Sequence, residues 1–141
     1  MTNPAHRFSF VRIVAAISGV YDAAVGLFLL LAADQMAALF GVAPARPPIF
    51  SDLNGLFLVA IGIGYYFPYR DPAGARWYLW VMGPLLKGAG AAAFLADYVF
   101  RHSPASFLLF AASDGALALL TMAALVGSRR GTRNTPESPA R

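Results

Sequence analysis

Four long apolar runs, separated by short breaks rich in proline, glycine and arginine, organise this chain. They cover residues 8–33, 49–67, 77–100 and 105–126. Each is close to the ~20 residues that a helix needs to cross the hydrocarbon core of a bilayer. The alternating pattern of a membrane barrel is absent. Backbone polar groups in lipid must pair within their own segment, so helices are the expected form. The breaks read GVAPARPP at 41–48, PYRDPAG at 68–74 and RHSP at 101–104. In the last of these, Ser103 before Pro104 reads as a helix start. Ahead of the first break, DQMAALF at 34–40 reads as a short interfacial helix, with Met36, Leu39 and Phe40 turned to lipid. The pattern predicts an all-α fold: one domain over residues 1–141, a transmembrane four-helix bundle with up-down topology. The polar stretch 128–141 is expected to be a disordered cytoplasmic tail.

Composition sharpens the class. The 141 residues are 58% hydrophobic and only 13% charged, with a mean hydropathy of +0.58. A soluble domain carries about 25% charged residues. There is no cysteine, which removes disulfides, thiolate chemistry and Cys-ligated metals. The two histidines, His6 and His102, lie near the ends of apolar runs, so no metal site is expected. No cofactor is expected either. Net charge is +4, but the basic residues sit in breaks and tails, a pattern that suits membrane topology and not nucleic-acid binding. Arg7, Arg12, Arg70, Arg76, Arg129, Arg130, Arg133 and Arg141 fall on one side of the expected membrane, and Arg46 and Arg101 on the other. The excess marks the cytoplasmic side, so both termini are expected there. Tyr65, Tyr66, Tyr69, Trp77, Tyr78 and Trp80 read as an aromatic belt at that interface. Arg12, one turn inside the first helix, is placed to snorkel toward it. The N-terminus does not read as a cleaved signal, because the run that follows is too long for one.

The stretch VMGPLLKGAGAAAF, residues 81–94, carries a lysine in mid-helix. Ionisable groups at that depth cost roughly 2.5–3.5 kcal/mol each on insertion scales and persist where they face the bundle and find partners. Asp22 in the first helix and Asp114 in the fourth are equally misplaced. Asp22 lies eleven residues before Ala33, Lys87 ten before Asp97, and Asp114 ten after Pro104. At about 1.5 Å rise per residue, all three lie roughly 15 Å below the outer surface. Gly19 and Gly26 flank Asp22 on one helix face, and Gly83 and Gly90 flank Lys87. Ala111, Ala118 and Thr121 do the same for Asp114. Small residues mark close helix packing in membranes, so the three charges are expected to face one another. Pro84 is expected to free a carbonyl in the preceding turn and kink the helix. Asp52 and Asn54, at the outer end of the second helix, look toward this centre from its mouth; Asp52 serves equally well as a helix cap. Three readings of the centre stay open: a static ion pair fixing helix register, a ligand pocket, and a proton or ion path. Two carboxylates and one ammonium leave one excess negative charge, to be met by a retained proton or a bound cation.

Weaker signals have plain readings. Residues 26–29 and 55–58 both read GLFL, each after an aspartate, which in so leucine-rich a chain reads as coincidence. Gly62 and Gly64 read as helix packing and not a nucleotide loop, since no strand precedes them. Asp97 and Arg101 read as a surface ion pair.

In layout the chain resembles the small bacterial four-helix membrane proteins grouped as DoxX-like. The resemblance rests on YDAAVGLFLLLA in the first helix, a following ALFGV, a proline break, and DLNGLFLVAIGIGYYF in the second. It implies a multi-pass protein of the bacterial inner membrane. Some of that group are linked to quinone or sulfur redox chemistry, and the lack of cysteine argues against a thiol-based version. Small multidrug exporters also pair four helices with an acid in the first, but Lys87 facing Asp22 opposes cation uptake. Sterol-isomerase-like membrane proteins likewise keep acids in an apolar cavity. The expected function is binding of a small lipophilic ligand or a partner subunit around Asp22, Lys87, Asp114, Asp52 and Asn54. The alternatives are a proton-coupled small-molecule transporter and a membrane enzyme acting on an apolar substrate. Expected partners are the lipid bilayer, a lipophilic small molecule, and a membrane protein or a second copy of the chain.

Overall fold

A computed structural model describes residues 4–130, and all regular structure among them is helical. Helix α1 spans Pro4–Leu31 and α2 spans Ala33–Phe40. Helix α3 occupies Ile49–Arg70, α4 Arg76–Arg101, and α5 Leu108–Arg130 after a single 3-10 turn at Ala105–Phe107. Four of these segments are long and apolar enough to cross a membrane: Phe8–Leu31, Ile49–Arg70, Arg76–Arg101 and Ala105–Ser128. Helix α5 continues to Arg130, into the stretch expected to be disordered; residues 131–141 lie outside the described residues.

The breaks follow local chemistry. Gly41 ends α2 with φ 71°, in the left-handed region, and its N–H returns to Ala37 and Ala38. A glycine takes that conformation without a Cβ clash. Helix α3 does not stop at Phe67 as expected. It breaks for one residue at Tyr65 and resumes over Tyr66–Arg70. Pro68 then falls in a first turn, where its missing N–H has no helical partner to lose. Asp71 Oδ1 accepts from the N–H groups of Ala73 (3.2 Å) and Gly74 (3.0 Å), closing the turn into α4. Ser103 does not start α5. Its hydroxyl bonds back to Asp97, which also pairs with Arg101 at 3.1 Å on the surface.

Pro84 sits inside a π-helical stretch, Val81–Lys87, in the middle of α4. Proline removes one i→i−4 bond, and widening the turn re-pairs the ladder around the gap. The expected kink thus takes the form of a π segment that ends on Lys87.

Helices α1 and α3 pack in backbone contact. Gly19 lies against Gly62, and Gly26 against Gly55, so the two helices run antiparallel. The twin GLFL segments are these same contact points. Gly26 meets the start of one, Gly55 the start of the other, and Leu29 and Leu58 both turn toward one cavity. What read as coincidence in sequence is a local two-fold pairing in space. Helix α4 packs on α5 in the same antiparallel sense, with Gly83 on Thr121 and Ala91 on Gly115. The apolar core lies at the end of the bundle where Val11, Val14, Ala15, Tyr65, Tyr78, Leu79, Ala124 and Leu125 meet. Tyr65 and Tyr78 are therefore core residues, 1% and 9% exposed, and not part of an interfacial belt. Their rings meet edge to face, and Tyr78 donates to the Ile61 carbonyl at 2.6 Å. That acceptor allows a phenol to be buried among aliphatic side chains. Tyr66, Tyr69 and Trp77 are exposed.

Candidate functional site

Lys87 is where three helices converge. Its ammonium donates to Asp22 Oδ1 of α1 at 2.5 Å and to Asp114 Oδ1 of α5 at 3.3 Å. The side chains of Lys87 and Asp22 are 5% and 4% exposed, and that of Asp114 is 18% exposed. A buried charge is stable only when paired and hydrogen-bonded, and the two pairings meet that condition for the lysine. The three charges expected to face one another do meet in the fold.

Tyr21 completes the cluster, and sequence reading passed it over. Its ring lies beneath the ammonium, with Lys87 Nζ 4.8 Å from the centroid, a cation–π contact. Its hydroxyl is 2.7 Å from Ser113 Oγ. Ser113 can also donate to the Leu109 carbonyl at 2.9 Å, an arrangement in which Tyr21 is the donor between the two hydroxyls. A phenol in mid-helix beside a buried aspartate was the available signal. Because Ser113 keeps its backbone partner, Tyr21→Phe is expected to cost only about 1 kcal/mol in unfolding free energy. Tyr21→Leu, which also removes the ring from the ammonium, is expected to cost clearly more. Equal losses in the two variants would show that the ring contact contributes nothing.

Beside the cluster lies a cavity of about 380 Å³. Helix α3 packs on α1 and α4 on α5, and the cavity falls between these two pairs. Its polar end is made by Tyr21, Asp22 and Asp114, with Ser51 and Asn54 of α3 also on its wall. The remaining wall is apolar: Val25 and Leu29 from α1, Leu58 from α3. Helix α2 forms one side through Met36, Ala37 and Phe40. Met36 is 7% exposed, so it faces the protein and not lipid, as does the lining residue Phe40; only Leu39, at 71% exposure, points outward as expected. Phe40 stacks on Phe110 at 4.7 Å, and Phe94 stacks on Phe110 at 5.3 Å and on Phe107 at 5.9 Å. Ser106, in the 3-10 turn ahead of α5, ties that turn to α2 by donating to the Phe40 carbonyl at 2.6 Å.

Two expected members stand apart from the ion cluster. Asn54 is exposed but borders the cavity. Asp52 sits in the first turn of α3, with its N–H bonded to Pro48, and is not among the lining residues. It is not the cap either: Pro48 holds that position and no side chain caps the helix. No group of three or more metal-binding side chains occurs among the described residues. Comparison of the chain with protein-family models, curated proteins and solved structures finds no match.

Proposed function

We propose that this chain is a multi-pass protein of a bacterial inner membrane that holds a small lipophilic molecule in the cavity beside Asp22 and Asp114. The observation that carries the reading is the cavity itself, apolar along its walls and polar at one end. That is the usual form of a small-molecule site, and its volume falls within the customary range of roughly 300–1,000 Å³. The surroundings support a membrane setting. Large apolar side chains such as Val20, Leu31, Phe100 and Leu119 are 63–82% exposed, which water disfavours and lipid tolerates. Arg12 and Arg70 share one end of the bundle with Tyr69, and Arg76 bonds the Leu125 carbonyl and Ser128 at that same end. Arg46 and Arg101 lie on the elements at the opposite end. This asymmetry supports an up-down bundle with both termini in the cytoplasm. The bacterial inner membrane rests on the layout resemblance to DoxX-like proteins.

Ala37 lines the cavity from α2, half-buried. Ala37→Phe is expected to fill part of that space. Extraction of the purified wild type, followed by mass spectrometry, should yield a stoichiometric lipophile. The variant should lose it while melting within a few degrees of the wild type. A wild type that carries nothing, and that melts identically with and without added lipophiles, would sink the proposal.

A further inference from the structure

The charged residues that line the cavity are both acidic. Asp22 and Asp114 both line it, whereas Lys87 does not. Each carboxylate directs Oδ1 to the lysine, and Oδ2 makes no hydrogen bond within the described residues. Fully ionised, the three groups sum to one negative charge, since two carboxylates face one ammonium. An uncompensated charge in a low-dielectric site is costly, and a cationic ligand group removes that cost while supplying donors to the free oxygens. The Tyr21 hydroxyl is already engaged with Ser113. Among lining side chains, only Ser51 and Asn54 are left to donate to an acceptor-only head. An anionic head would meet carboxylates of its own sign.

From this asymmetry we infer that the cavity takes a lipophilic amine: a protonated nitrogen at the Asp22–Asp114 end, with an apolar or aromatic body along Leu29, Leu58 and the Phe40–Phe110 stack. The inference rests on the binding role proposed above and chooses the head group for that same site. It also revises the expectation that Lys87 bars cations. The lysine occupies one oxygen of each acid, and both acids, not the lysine, line the cavity.

The test compares three probes with one body and different heads: phenylbutylamine, phenylbutanol and phenylbutyrate. Binding to the full-length protein in lipid nanodiscs is measured by calorimetry at neutral pH. The amine is expected to bind about tenfold or more tighter than the alcohol, as befits a charge-assisted contact, and the carboxylate not at all. Asp114→Asn leaves Lys87 and Asp22 as a balanced pair, and there the ratio of amine to alcohol affinity is expected to fall toward one. Should Asp114→Asn fail to fold, the same comparison across a salt series on the wild type replaces it. Salt should leave the amine's advantage largely intact, because a buried pair is weakly screened. Equal binding of amine and alcohol, or tightest binding by the carboxylate, overturns the head-group assignment and leaves the lipophile site standing. Binding by none of the three overturns both.

Discussion

Lys87→Met is expected to lower the unfolding free energy by about 3–5 kcal/mol, the range for breaking a buried ion pair from one side. Methionine follows lysine as far as Cε and leaves the volume nearly filled. What it removes is the donor that Asp22 and Asp114 share at 2.5 Å and 3.3 Å. Two carboxylates are then left close together with no counter-charge. Each must take a proton or repel the other, and either outcome disfavours the fold at neutral pH. The aspartates should be unequal. Asp22 is the closer and the more buried partner, so Asp22→Asn should cost more than Asp114→Asn. The triple variant Lys87→Met with Asp22→Asn and Asp114→Asn should recover much of the loss, because no charge then remains to be desolvated. Reversible unfolding in mixed micelles, titrated with a denaturing detergent, measures all of these. A Lys87→Met protein that unfolds with the wild type would mean that the ion cluster is irrelevant to stability, and the triple variant would then show nothing to rescue.

The second large effect is steric. A Cβ placed on Gly26 would lie 2.6 Å from the Gly55 carbonyl oxygen and 2.8 Å from the Val59 nitrogen. Those are backbone atoms of α3 and have no rotamer by which to withdraw. Gly55 meets Gly26 in the same way, at 2.8 Å from its carbonyl oxygen. Gly26→Val should therefore force α1 and α3 apart and cost about 3 kcal/mol or more, at the upper end of overpacking effects. Separation of these helices also opens the cavity wall between Leu29 and Leu58, so ligand binding should fall with stability. Gly127 is the control, since a Cβ there meets nothing within 4 Å. Gly127→Ala is expected to be neutral or stabilising by about 0.5–1 kcal/mol, from helix propensity alone. The same micelle unfolding reads both, and equal effects at the two positions would remove the case for a glycine-mediated interface.

Much of the architecture was legible before any coordinates. The lengths of the apolar runs locate the four segments long and apolar enough to cross a membrane, because a helix has a fixed rise and a bilayer a fixed thickness. Counting from the breaks placed Asp22, Lys87 and Asp114 at one depth, and the glycine spacing placed them on inward faces. Both inferences use the geometry of single helices, and the three side chains do meet in the fold. Helix ends were less legible. Pro68 reads as a stop, but a one-residue break at Tyr65 turns it into a first-turn residue. Tyr65 and Tyr78 read as belt residues because an aromatic near a helix end suits the interface. Their burial depended on a carbonyl partner on another helix for Tyr78 and on each ring finding the other.

Sequence alone thus determined the long helices, their fitness to cross a membrane and the polar centre. These depend on periodicity and hydropathy, which are properties of each segment by itself. Only the tertiary structure decided that α2 walls a cavity, that Tyr21 belongs to the cluster, and that Asp22 and Asp114 line the cavity while Lys87 does not. Those features depend on which helix lies beside which and how each is rotated against its neighbours. A pattern along one helix gives its inward face but not the partner that face will meet, and the chemistry of this site lies in the pairing.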